Sequence, residues 1–236
     1  MLEPGGPRPG RHAVEPKGAF IPLETIRQVI DFIRDRPEQF TRLLEAHIRL
    51  SATALVAAML IFIPIGMLCA FWPRVGGNLV GLLATIRVVP SLALIFLLYP
   101  WMGIGFTPSA IALTVLAGPP LLLNTFTGIR GVDAAILEAA TGLGMSGWQR
   151  FLRVQLPLAL PVIVAGMRTA AVEIVASATL ASLAGVRTLG QWIVTGISLL
   201  DRTYLLAGAV SVMALVLAAE LLLGGLERLT TPRMGR

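Results

Sequence analysis

The sequence predicts an all-α fold, a polytopic membrane helical bundle of about five spans, and three observations carry that reading. The first is composition. Apolar residues make up 56% of the 236, charged residues 14% and aromatic residues 6%, and the mean hydropathy is +0.80. A soluble domain carries about 25% charged and about 45–50% apolar residues, so this chain has too little polar side chain to wet a soluble surface. The same numbers exclude disorder, which needs low hydrophobicity and high net charge. The second is run length: several apolar stretches approach the roughly 20 helical residues that cross about 30 Å of hydrocarbon. The third is charge placement. Residues 1–47 hold seven basic and seven acidic side chains, whereas residues 48–236 hold twelve Arg against six Asp or Glu. These Arg sit between or at the ends of apolar runs, as in loops on the cytoplasmic side. A membrane therefore accounts for the basic balance, and no nucleic-acid partner is expected.

In chain order, residues 1–19 are rich in Pro and Gly and read as a flexible tail without the apolar stretch of a signal peptide. Residues 20–49 are amphipathic: Ile26, Val29, Ile30 and Ile33 recur at helical spacing, Pro37 interrupts, and Phe40, Leu43, Leu44 and Ile48 resume. Charges every few residues suit a helix on the lipid surface better than a span. Residues 50–228 form the transmembrane domain, and 229–236 a C-terminal tail. The spans are expected near Leu50–Phe71, Leu79–Leu98, Pro108–Phe126, Leu156–Gly185 and Tyr204–Leu226. Cys69 lies inside an apolar run and has no second cysteine to pair with.

Five spans put the two ends of the chain on opposite faces. The loops after spans one and three, with the C-terminal tail, carry Arg74, Arg130, Arg150, Arg153, Arg228, Arg233 and Arg236, while Tyr99–Thr107 carries no charge. The bias of positive charge places the C-terminus and residues 128–155 in the cytoplasm and the N-terminus outside.

The polar stretch between spans three and four is the informative one. Asp133 suits the N-cap of a short helix over Ala134–Leu143 that stops near Gly142 and Gly144. Ser146-Gly-Trp-Gln149 has the spacing of a capping box and opens a second helix. The pattern alone describes two short helices at a Gly-rich elbow, which would serve equally as an interfacial anchor.

Glu138-Ala139-Ala140, three residues, Gly144, nine residues, then Val154-x-Leu156-Pro157 resembles the EAA loop of permease subunits of binding-protein-dependent ABC importers, with Val154 where that pattern has Ile. His47–Ser51, Val89–Leu94, Asn124–Arg130, Leu156–Pro161 and Ala165–Ala170 are similar to the osmoprotectant group, whose members import glycine betaine, choline and carnitine. The resemblance spans roughly residues 40–228. It implies that residues 128–157 form a coupling helix docked on a separate cytosolic ATPase, with Glu138, Ala139, Ala140, Gly144, Leu156 and Pro157 at the contact. It also implies a second permease subunit, identical or related, an extracytoplasmic substrate-binding protein, and ATP and magnesium held by the ATPase alone. One departure stands out: relatives show Gly-Ala-Gly-Gly-Leu-Gly after span four, and this chain reads Gly185-Val-Arg-Thr-Leu-Gly190.

Ionisable residues inside spans are candidates for a permeation path, which singles out Arg87, Arg168 and Glu173. Arg168 and Glu173 are five apart, rotated by about 140° on a helix, which disfavours a direct pair. Pro90 can break a helix beside such a path. Tyr99, Trp101, Trp192 and Tyr204 fit an aromatic belt at the outer interface. Enzyme chemistry lacks its parts: the one lysine, Lys17, follows Pro16, so there is no P-loop, and His12 and His47 stand alone, so no metal set forms. The competing readings are a membrane scaffold that transports nothing and a permease for another small solute such as an amino acid.

Overall fold

The computed structural model describes residues 23–85 and 89–230. In order these form α1 (Leu23–Arg34), α2 (Pro37–Phe71), α3 (Pro73–Ala84), α4 (Ser91–Leu97), α5 (Tyr99–Met102), α6 (Phe106–Leu116) and α7 (Gly118–Arg130). There follow α8 (Ala134–Gly142), α9 (Gly147–Arg150), a π-helical turn (Phe151–Gln155), α10 (Leu156–Ala178), a 3-10 turn (Leu180–Ala184), α11 (Gly190–Leu199) and α12 (Arg202–Thr230). Among the described residues there is no strand. The fold is all-α.

Among the described residues four helical stretches have the length and hydropathy of a span: Pro37–Phe71, Phe106–Arg130, Gly147–Ala178 and Arg202–Leu229. The stretch expected as one span over Leu79–Leu98 is not one helix. It divides into α3 and α4, with Val89 and Pro90 non-helical between them. Proline supplies no N–H and drives its predecessor out of the helical region, and Pro90 itself sits at φ −58, ψ 132. Pro100 opens the next short helix, and Gly103 ends it at φ 70.

Pro37, which breaks the hydrophobic period, stands at the first position of α2, where a missing N–H costs nothing. From there the helix runs 35 residues without a stop, about 52 Å at 1.5 Å per residue. It is therefore much longer than the hydrocarbon is thick, and its first turns pack into the Trp192 cluster at one end of the bundle.

The core lies where α2, α6, α7 and α10 meet. Leu50, Ala54, Ala58, Leu113, Ala117, Leu121, Ala170, Ile174 and Ala178 are fully buried there. Lipid is as apolar as leucine, so helices in a bilayer associate through close packing over small residues. Gly66 and Gly166 show why. A Cβ on Gly66 would lie 2.7 Å from Thr125 Cβ, and one on Gly166 2.6 Å from Asn124 Cβ. Both glycines let a neighbouring helix press its backbone against α7.

The bundle has two distinct ends. At one, Val29 and Phe32 of α1 are buried with Leu189, Trp192 and Ala207, and His47 Nε2 lies 2.9 Å from Val175 O near the end of α10. At the other, Ala70, Ile129, Phe151, Ala159 and Ile163 cluster under the start of α10. The α8–α9 elbow belongs to this second end.

Candidate functional site

Each cap expected at the elbow is present. Asp133 Oδ1 accepts from Ala135 N at 2.9 Å. Ser146 Oγ accepts from Gln149 N at 3.3 Å while Gln149 Oε1 accepts from Ser146 N at 3.0 Å, so the capping box is reciprocal. Between them α8 closes with Gly144 N donating to Thr141 O at 2.9 Å and Met145 N to Ala140 O at 3.2 Å. Gly144 lies at φ +81, a left-handed conformation that glycine adopts at little cost and that commonly ends a helix. A Cβ there would meet nothing within 4 Å, so the glycine is required by the backbone and not by crowding.

α9 is not a separate helix but the start of the Gly147–Ala178 stretch. It passes through the π turn directly into α10, where Leu156 N donates back to Phe151 O. Pro157 explains the turn: it cannot donate to Arg153 O and its ring would crowd that carbonyl, and an i+5 turn relieves the clash. Single π turns of this kind recur at functional positions.

The candidate residues fall into two groups. Glu138 and Ala139 face solvent on α8, Ala140 is buried, Gly144 is exposed at the elbow, and Leu156 is half-buried with Pro157 exposed. Leu143 and Trp148, which the motif does not include, are 80% and 66% exposed. The elbow thus presents a small polar and apolar face outward. Trp148 stacks on Phe151 with ring centroids 5.7 Å apart, and Phe151 is tilted against Phe71 at 5.1 Å, which ties the face to α2.

The second group lies along the bundle. Arg168 is on α10, about 18 Å from Leu156 and apart from the elbow. It does not pair with Glu173, as its helical phase indicated. Its Nε contacts Glu220 Oε1 at 3.1 Å and its Nη1 contacts Glu227 Oε2 at 2.6 Å, both on α12. Glu220 and Glu227 escaped the sequence reading because they sit near the end of an apolar run. Their spacing of seven, two turns of one helix face, was the signal available. Glu173 is half-buried on α10 and Pro90 exposed at the start of α4; Arg87 lies outside the described residues.

Of the aromatic belt, Tyr99 and Trp101 are 49% and 76% exposed, but Trp192 is fully buried. Its ring packs edge-on to Phe32 at 5.3 Å and stacks on Phe40 at 5.8 Å, and the Arg36 guanidinium lies 4.1 Å above Phe32. The unusual Gly185–Gly190 segment has its own lock. Gly185 is left-handed at φ 80, and buried Thr188 donates to Ala178 O at 3.1 Å while meeting Ser182 Oγ at 2.7 Å. Among the described residues no group of three or more His, Cys, Asp or Glu could hold a metal.

Residues 62–234 match the profile of the family described as binding-protein-dependent transport system inner membrane component. The carnitine transport permease protein OpuCB of Listeria monocytogenes is 38% identical over 187 residues, 79% of this chain and 86% of that one. The glycine betaine/carnitine/choline transport system permease protein OpuCB of Bacillus subtilis is 33% identical over 208 residues, 88% of this chain and 96% of its own. Among solved structures, a chain of the inward-facing MetNI methionine ABC transporter superposes with a TM-score of 0.71 at 20% identity, covering 84% of this chain and 99% of that one. An amino acid ABC transporter gives a TM-score of 0.67 at 21% identity, covering 85% and 97%.

Proposed function

This chain belongs to the family of binding-protein-dependent transport system inner membrane components, and we propose that it imports a small osmoprotectant of the betaine, choline or carnitine kind. It is a membrane permease subunit of an ABC importer. In the proposed assembly, ATP and magnesium are handled by a separate cytosolic ATPase. A second permease subunit completes the membrane unit, and an extracytoplasmic binding protein delivers the solute. The observation behind the cargo class is the identity of 33–38% to carnitine and glycine betaine permeases along most of the chain. Likeness to methionine and amino-acid transporters at 20–21% identity speaks for the fold and leaves the cargo open.

The elbow is the proposed ATPase contact. Glu138, Ala139 and Gly144 stand on its outer side, with Leu143 and Trp148 as apolar contacts beside them. Small residues let an approaching groove close on the α8 backbone, and the run of α9 into α10 gives that groove a handle on a span. Arg168, Glu173, Arg87 and Pro90 are proposed to border the path. Charged groups at membrane depth face a protein interior or a watery cavity, and the Arg168 ion pairs join two of the helices such a path would separate. The elbow end faces the cytoplasm in this reading, and α1 faces outward.

The deciding experiment is uptake of radiolabelled betaine, choline and carnitine by the complete complex reconstituted in vesicles. ATP-dependent uptake of at least one is expected. A complex that binds its ATPase yet moves none of them, while moving an amino acid, would reassign the cargo. One that moves no solute at all would favour the scaffold reading.

A further inference from the structure

α8 stands away from the bundle: its residues are mostly exposed, and it packs chiefly on α9 and the π turn. A push on α8 can reach the spans by two routes besides the edge of Ile136, which lines a shallow cavity with Leu158 and Val162 of α10. One is the chain itself, through Gly131–Asp133 into α7. The other is whatever fastens α8 to α9, because α9 is continuous with α10. The covalent link across the elbow is loose. Gly142, Gly144 and Gly147 fall within six residues, and a Cβ on any of them would touch nothing within 4 Å. Glycine restricts the backbone least of all residues. Backbone bonds from Gly144 N to Thr141 O and from Met145 N to Ala140 O close the turn, and a side-chain tie across it stiffens the joint further.

One side chain supplies the tie. Arg150 Nη1 donates to Thr141 Oγ1 at 2.9 Å across the elbow. That hydroxyl in turn donates to Leu137 O at 2.8 Å, one turn back along α8. Arg150 N is itself fixed, donating to Ser146 O at 2.8 Å in the first turn of α9. The guanidinium is drawn in far enough that Nε is buried without a hydrogen-bond partner among the described residues. A guanidinium on an exposed loop loses hydration by folding inward, so its place reflects what it holds. We infer that Arg150 is a positioning residue for coupling: it clamps α8 to α9 so that a displacement of the docked elbow is delivered to α10. The clamp rests on the reading of the elbow as the ATPase contact and adds to it a residue outside the motif. Arginine suits the role better than lysine because its planar fork fixes direction as well as charge.

The test uses the whole importer, permease with ATPase and loaded binding protein, in vesicles. Arg150→Met keeps the stem and removes the donors; Thr141→Val keeps the shape and removes the hydroxyl; Arg150→Lys keeps the charge. Arg150→Met should retain the ATPase on purification, yet lose transport by about tenfold and lose the stimulation of ATP hydrolysis by loaded binding protein. Thr141→Val should lose about threefold, and the double variant should be no worse than Arg150→Met alone, since both remove one interaction. Arg150→Lys should recover part of the stimulation. Losses that multiply in the double variant would overturn the clamp, as would an Arg150→Met complex that transports normally. If Arg150→Met fails to insert, Thr141→Val and Arg150→Lys carry the same comparison. Gly144→Asp run alongside separates the two claims. If it leaves coupling intact, the elbow is not the contact. If it uncouples while Arg150→Met does not, only the clamp is wrong.

Discussion

The two ends of the bundle are built on opposite plans. At the α1 end, rings interlock: Phe32, Phe40, Trp192 and Tyr204 stack or meet edge to face within 4.6–5.8 Å, and α1 is closed down onto α11 and α12. At the other end, Phe71, Phe151 and Trp148 also meet, but the α8–α9 elbow itself is ordered by caps, backbone hydrogen bonds and one guanidinium, while Leu143 and Trp148 stay largely exposed. Buried aromatic area makes a structure stable by itself. A surface held by local hydrogen bonds keeps its shape while leaving its apolar groups for a partner. The first end completes the fold; the second leaves Leu143 and Trp148 exposed, as the proposed ATPase contact requires.

Sidedness gives the sharpest break in that comparison, because its outcome is all-or-none. With Cys69 replaced by alanine, a cysteine placed at Ala135, exposed on α8, should resist an impermeant thiol reagent in intact cells and react in inverted vesicles. A cysteine at Gln28, exposed on α1, should behave the opposite way. Reaction of both from one side would put the two ends on the same face of the membrane.

Gly144→Asp comes next. Its backbone at φ +81 would cost a side chain on the order of 1 kcal/mol, which the loop can absorb. In the proposed contact, however, the carboxylate would stand where the partner groove closes. Transport and ATPase pull-down should be abolished while the thermal unfolding midpoint in detergent stays near that of the parent. Trp192→Ala should do the reverse. Emptying a fully buried indole site costs about 3–5 kcal/mol. The midpoint should fall by several degrees, while solute moved per ATP by the surviving complexes stays unchanged. A Trp192→Ala protein that is stable but uncoupled would abolish the division of labour between the ends.

The elbow was readable because its signals are local. Asp133 caps Ala135 two residues on, Ser146 pairs with Gln149 three residues on, and Gly144 marks the left-handed turn. Span positions were readable for the same reason, apart from 79–98, where hydropathy outvoted Pro90. What stayed hidden is long-range. Phe32, the aromatic residue of α1, finds Trp192 and Tyr204 more than 150 residues away, and Arg168 finds carboxylates 52 and 59 positions on. Hydropathy tells a helix how deep it lies but not which face meets which neighbour. Even the Arg150–Thr141 tie, nine residues long, depends on the elbow's fold and has no periodic signature.

Glu138→Ala should give the smallest effect, and its smallness is informative. Glu138 is exposed on α8, so its removal leaves no cavity, and alanine is the better helix former. The free subunit should therefore unfold at the same temperature or slightly above. What changes is the proposed contact with the ATPase. A hydrogen bond to a charged group contributes about 1.5–3 kcal/mol when its partner is kept from water, and less at a wet rim. With Ala139 and Gly144 still admitting the groove, the expected result is weaker ATPase association by about three- to tenfold. Transport should be restored when the ATPase is supplied in excess. That rescue distinguishes a lost contact from a lost lever: raising the ATPase concentration recovers an affinity defect and cannot recover a helix that no longer transmits. If Glu138→Ala instead abolishes transport at saturating ATPase, the carboxylate carries the motion itself, and the elbow is a charged latch and not a surface of small residues.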